Sequence, residues 1–238
     1  SDPSRPIETT LRKAGSPTMD LRRLPKVAPT KRERDEHKEP AIERSELPGA
    51  VPAGAPGQVS ASSVRALALA PIASFDGLDF TTWGMGHPPD PVGDVGPTYY
   101  IQAINTSIGI YNKATGAQVA AFSFDTFMSQ GSFGNLCDTD NFGDPVVLYD
   151  SFEDRWVISD FAFQVVAGAV NPPVAYECIA VSKTGDPVTG GWNYYSLQMN
   201  DGLHDYPKLG IWPDGIYMSA NMFGFAAGAP FQGARVWA

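Results

Sequence analysis

From Phe75 onward, short apolar or alternating runs are separated by Gly, Pro, Asp and Asn clusters, the signature of strands joined by tight turns. Tyr99 to Asn105, Ser107 to Tyr111 and Gln118 to Phe124 read as three strands, with Asn112-Lys113-Ala114-Thr115-Gly116 as a hairpin turn. Asp125 to Phe142 reads as a long loop. Val146 to Tyr149 and Arg155 to Phe161 form a strand, an acidic turn and a second strand. Val174 to Ser182, Asn193 to Leu197, Ile216 to Met222 and Ala234 to Ala238 complete the series.

Three segments echo one another. Asp90-Pro91-Val92, Asp144-Pro145-Val146 and Asp205-Tyr206-Pro207 each lead through an Asp turn to a strand, at Asp-to-Asp offsets of 54 and 61 residues. A period of this size with only strands and turns inside it marks a propeller blade. The middle unit holds four strands, at about 145–149, 155–162, 174–182 and 191–198. The expected fold is therefore all-β, a β-propeller of four-stranded blades. About three blades are expected, at 90–124, 144–198 and 205–238. Propellers close with roughly four to eight blades, so three make an incomplete one. Further blades or domains of the same polypeptide are the expected partners.

Composition divides the chain at one place. All 13 Phe, 9 Tyr and 5 Trp lie at Phe75 or later. Residues 1–74 lack the large apolar area a core needs and read as a disordered, Pro- and charge-rich arm and linker before the propeller portion at 75–238. A first residue that is Ser1 reads as the mark of a removed signal peptide or of a fragment. After Phe75, 5 Lys/Arg face 17 Asp/Glu, a net of −12. So acidic a surface repels a phosphate backbone, which excludes nucleic acid as a partner. No apolar run reaches the roughly 18 residues a membrane span needs.

Thr184, Asp186, Gly190 and Trp192 resemble the Asp-box turn of sialidase-type propellers, at a longer spacing. The physical reading of that turn is structural. The Asp accepts turn amides and the Trp packs between blades. The three-arginine clamp of sialidases is absent, with only Arg155 and Arg235 after Phe75. Pro88 to Pro97, Gly143 to Asp150, Cys178-Ile179-Ala180-Val181-Ser182 and Asp205 to Gly210 together resemble a family of secreted, multidomain bacterial proteins with a β-propeller. The resemblance covers about Phe75 to Ala238. It implies a fold and a secreted, extracellular or cell-surface setting, and no particular activity.

Candidate chemistry is sparse. Asp90, Asp144 and Asp205 start the innermost strand of each blade and should gather at one mouth of the channel, with His87 and His204 nearby. They read either as a ring binding a polar ligand or Ca²⁺, or as turn caps tying blade to blade; a residue repeated in every blade favours the second. Asp138, Asp140 and Asp144 resemble an irregular calcium loop, with Phe142 where an EF-hand has an oxygen donor. Asp160 reads as one of several turn carboxylates, and the five Trp as packing anchors. Cys137 and Cys178 are either two buried thiols or one disulfide of a secreted protein. Their positions, just before and within the middle blade, favour the disulfide. No nucleophile elbow, P-loop or His-Glu-x-x-His is present. The expectation is an extracellular module for binding, adhesion or structure, with a glycan or protein as ligand and no catalytic set. The alternative is a propeller carbohydrate-active enzyme, a hydrolase or lyase, with the rest of its site elsewhere.

Overall fold

The computed structural model describes residues 8–29, 73–84 and 88–238. Their main sheets are three antiparallel meanders. The first is β2 (Val92–Val95), β3 (Tyr99–Ile104), β4 (Ser107–Asn112) and β5 (Gln118–Ser123), in that order. The second is β6 (Asn141–Asp150), β7 (Arg155–Ala162), β10 (Ala175–Ser182) and β11 (Trp192–Met199). The hairpin β8 (Val165–Val166) and β9 (Ala169–Val170) is inserted between β7 and β10. The third is β12 (Leu203–Trp212), β13 (Gly215–Phe223) and β14 (Phe231–Trp237). The first strands of the sheets, β2, β6 and β12, lie side by side with β6 in the middle.

The middle sheet is covered on both faces, and its sequence says why. Every residue of β7 after Arg155 is buried, as a near-continuous apolar run requires. Successive side chains alternate between faces. Trp156, Ile158 and Ala162 of β7, with Cys178, Ala180, Trp192 and Tyr194, face the first sheet's Ile101, Ile108, Ile110 and Phe122. Phe161, Ala175, Leu197 and Met199 turn the other way and meet Met218 of the third sheet.

Two expectations are corrected. The stretch from Asp125 to Phe142 is not one loop. The short helix α1 (Phe80–Trp83) lies earlier, and a second, α2 (Phe124–Met128), begins where the loop was expected. Ser123 caps α2 by accepting the Thr126 amide at 3.1 Å. The Phe127 ring stacks on Phe122 at 5.6 Å and meets Trp192 and Tyr194 edge-on at 5.1 and 5.5 Å. The helix thus plugs the seam between the first two sheets.

The second correction concerns the arm. Residues 8–29 are ordered, and residues 30–72 lie outside the described residues. β1 (Leu11–Lys13) pairs antiparallel with β11, Leu11 opposite Leu197, as a fifth strand on the middle sheet. The ladder continues through Ala14 N–H to Tyr194 O at 2.8 Å, Tyr194 N–H to Gly15 O at 3.0 Å and Trp192 N–H to Pro17 O at 3.1 Å. Gly191 is needed there: at φ +82° its place for a Cβ would lie 2.8 Å from Pro17 O. Leu21 then enters the first core at 1% exposure. The absence of aromatics in this stretch hid the fact that a strand edge rewards backbone amides whatever the side chains.

Candidate functional site

Cys137 and Cys178 form a disulfide with Cα atoms 5.6 Å apart, fully buried in the first core. It ties the segment before β6 to β10, two strands away.

Of the repeat-leading residues, Asp90 lies just before β2, while Asp144 and Tyr206 lie in the bulges of β6 and β12. Asp90, Asp144 and Tyr206 are left-handed, at φ 41°, 49° and 53°, and each precedes a proline. The repeat is therefore one residue out of the expected phase at its third copy. Tyr206, not Asp205, is the counterpart of Asp90 and Asp144. Such backbone costs about 1–3 kcal/mol per residue and persists only where its surroundings hold it. A relay of bonds does so. Asn105 donates through Nδ2 to Asp90 Oδ2 and to Pro88 O, both at 2.9 Å. Its Oδ1 accepts the Asp144 amide at 2.8 Å. The Asp144 carboxylate in turn accepts the Tyr206 amide at 3.1 Å. A side chain of the first sheet thus anchors the bulge of β6, and one of the second anchors the bulge of β12. Asp144 is 3% exposed, so its carboxylate is spent on this joint. Asn105, the first link, ends the predicted strand Tyr99 to Asn105, which gives no hint of this role.

The other expected residues separate. His87 lies outside the described residues. His204 does not line a mouth: it is buried between the second and third sheets with Nε2 3.0 Å from Glu177 Oε2, both side chains at zero exposure. Asp205 is half-buried beside it in sequence. Asp138 accepts the amides of Phe133 and Gly134 at 2.9 and 2.8 Å, and Asp140 accepts the Thr139 hydroxyl at 2.7 Å. Asp138, Asp140 and Asp144 thus bond to different parts of the chain. Among the described residues no three His, Cys, Asp or Glu side chains converge as metal donors.

At the Thr184–Trp192 turn, Asp186 Oδ1 accepts the amides of Val188 and Thr189 at 2.8 and 3.2 Å, and Oδ2 accepts the Thr189 hydroxyl. The Asp186 amide donates to Thr184 Oγ1 at 3.2 Å. Trp192, 1% exposed, donates from Nε1 to Pro187 O at 2.9 Å. Gly190 has room for no side chain, its Cβ position being 2.2 Å from Thr184 Oγ1.

Asp160 is not a turn residue. It is fully buried within β7, and its Oδ1 accepts the amides of Phe142 and Gly143, at 3.0 and 3.3 Å, where β6 bulges. Burial first, and the nearby Glu177 charge second, hold its carboxyl well above the usual carboxylate range. Such a group stabilises the fold fully below its unfolded pKa. That contribution is lost as pH rises through the folded value. Asp160→Asn keeps the acceptor and removes the titration. Relative to the parent, the variant should gain stability between about pH 4 and pH 8, read from urea unfolding at both values. An equal difference at the two pH values would rule this out. The signal missed in sequence was an acid among apolar neighbours on one strand, repeated by Glu177 on β10.

The exposed aromatics are elsewhere. Trp212 is 65% exposed and Phe152 56%, their rings 6.1 Å apart and inclined by 70°. Phe152 lies on the β6–β7 turn and Trp212 ends β12, so two adjacent sheets contribute to one aromatic ridge. Trp212 is therefore no packing anchor, unlike Trp156 and Trp192. Acidic turns surround the ridge. Asp150 Oδ1 accepts the Phe152 and Glu153 amides at 2.9 and 3.3 Å, the Tyr149 hydroxyl donates to Asp154, and the Tyr217 hydroxyl donates to Asp214 at 3.0 Å. The Tyr217–Asp214 bond and the Tyr149–Asp154 bond raise both phenols, Tyr149 to about 12.

No helix among the described residues is long and apolar enough to cross a membrane. Compared with known families, curated proteins and solved structures, the chain has no match.

Proposed function

We propose that the three meanders are successive blades of a β-propeller and that this propeller is a secreted or cell-surface module that binds glycans without turning them over. The observation that carries the reading is the aromatic ridge of Phe152 and Trp212, exposed at the turns of two adjacent sheets whose first strands lie side by side. Aromatic faces flanked by carboxylates and hydroxyls suit sugar rings, which offer CH faces and hydroxyl donors together. The blade reading draws on the meander order and on the Asn105–Asp144–Tyr206 relay, repeated from sheet to sheet. The secreted setting draws on the disulfide, which persists in oxidising compartments, and on the resemblance to secreted propeller proteins.

A binding role suits the carboxylates better than a hydrolytic one. Asp160 and Glu177 have no exposure to solvent, and a general acid must reach the glycosidic oxygen. The test is a glycan array with the full chain, run beside a panel of chromogenic glycosides. Binding to at least one glycan class is expected, with no turnover. Trp212→Ala should reduce that binding at least about ten-fold with an unchanged melting temperature, because so exposed a side chain contributes little to stability. Turnover of any glycoside, or binding indifferent to Trp212→Ala, would overturn the proposal.

A further inference from the structure

Polar side chains converge where the middle sheet meets the segment before β6. Tyr176 of β10 stands opposite Gln198 of β11, and Ser196 of β11 stands opposite Arg12 of β1. Alternation puts these four, with Thr10, on one face. They line a pocket of about 300 Å³ whose far wall is Gly134 and Asn135. That wall is fixed. Asp138 accepts the Gly134 amide at 2.8 Å, and Asn135 donates through Nδ2 to Ser196 Oγ at 3.2 Å. The disulfide ties Cys137, just beyond Asn135, to Cys178, just beyond Tyr176. Apart from Gly134, every residue lining the pocket has a polar side chain, and none of them is Asp or Glu.

The groups left over define what fits. Among the described residues neither the Arg12 guanidinium nor the Tyr176 hydroxyl has a hydrogen-bond or ion-pair partner. Ser196 Oγ accepts from Asn135 and keeps its proton to donate. Gln198 donates through Nε2 to Asn200 Oδ1 at 2.6 Å and keeps Oε1 to accept. We propose that this pocket binds a uronic-acid residue, its carboxylate on Arg12 and its hydroxyls on Tyr176, Ser196 and Gln198. A guanidinium fork meets a carboxylate through two parallel bonds. One positive charge balances one negative charge, whereas a phosphate dianion would stay half-compensated in a chain of net charge −9. Asp138, the acid of the wall segment, has both oxygens engaged by the Phe133 and Gly134 amides, and more distant carboxylates are screened by salt. The volume is at the small end of ligand pockets and suits one sugar ring. The choice of a sugar acid rests on the glycan-binding reading; the carboxylate on Arg12 rests on the pocket alone. Because Arg12 belongs to β1, docking of the arm completes the site.

The test is titration calorimetry of the full chain with glucuronate, galacturonate, glucose and inorganic phosphate. At least one uronate should bind at least about ten-fold more tightly than glucose or phosphate, the discrimination expected of a charge-assisted bond. Arg12→Gln should erase that preference without changing the melting temperature, because Arg12 is exposed. Tyr176→Phe keeps the ring packed on the first core and should weaken uronate binding about three-fold or more. Trp212→Ala should leave uronate binding unaltered. Failure of both uronates to bind overturns the inference, as does glucose or phosphate binding as tightly as either uronate. A preference that survives Arg12→Gln also overturns it, and so does uronate binding lost in Trp212→Ala, which would put the sugar acid on the aromatic ridge. Neutral glycans held through Trp212 while both uronates fail would sink this inference and leave the glycan reading standing.

Discussion

The chain carrying both Cys137→Ala and Cys178→Ala should unfold with about 4 kcal/mol less free energy than the parent, the loop-closure value for this disulfide. The two cysteines are 41 residues apart in sequence, and the closed loop contains all of β6 and β7. Without the bond, the unfolded chain regains the freedom of that whole segment, while the folded state loses only one cross-link inside an already packed core. Urea unfolding of parent and variant at equal slope is the measurement. Both sulfurs are buried, so mild reductant should leave the folded parent bonded and act only as it unfolds. A variant within 1 kcal/mol of the parent would mean that packing in the first core already holds the unfolded ensemble together.

His204→Ala should cost a further large amount, at least about 1–3 kcal/mol, the range for leaving a buried hydrogen-bonding partner unsatisfied. Glu177 and His204 join β10 to β12 between the second and third sheets at 3.0 Å, and neither is exposed. Among the described residues Glu177 Oε1 and His204 Nδ1 have no partner, so the pair is already short of hydrogen bonds there. Its single link is all that offsets the desolvation of both groups. The comparison that isolates the effect is the double variant Glu177→Leu with His204→Leu. Replacing both partners by apolar groups should recover most of the loss, because nothing polar is then stranded. If the double variant is as unstable as His204→Ala, the cost lies in packing against Phe161, whose ring centre is 6.0 Å from the imidazole.

Strand order and the middle sheet were legible because β7, β10 and β11 are rich in β-branched, aromatic and other apolar residues between turn clusters. The four-strand unit could be read from Gly143 to Leu197 to within a few residues. The site was much less legible. The phase of the repeat turned on backbone conformation, and an Asp at 205 beside a Tyr at 206 gave the wrong residue. A left-handed φ before proline leaves no mark on composition. Glu177 and His204 were hidden because they pair across two sheets, and Asp160 because it bonds the bulge of the neighbouring strand; single-strand patterns report only which face a residue takes. The aromatic ridge escaped for the opposite reason. Trp212 looks like Trp156 and Trp192 in sequence, and only the three-dimensional edge of the sheet decides which of them meets water.

The fifth strand on the middle sheet has a consequence for the order of folding. Leu11 pairs with Leu197, so residues near the start of the chain finish a sheet whose other strands are read out far later. During synthesis the arm must wait, unpaired, until β11 has emerged. So distant a closure carries a high loop entropy that no local contact offsets in advance. Docking of the arm should therefore be the last and slowest step, following collapse of the first core around Phe127 and Trp192. Until it happens the outer edge of β11 is open, and that interval is when two nascent chains are most exposed to pairing with one another.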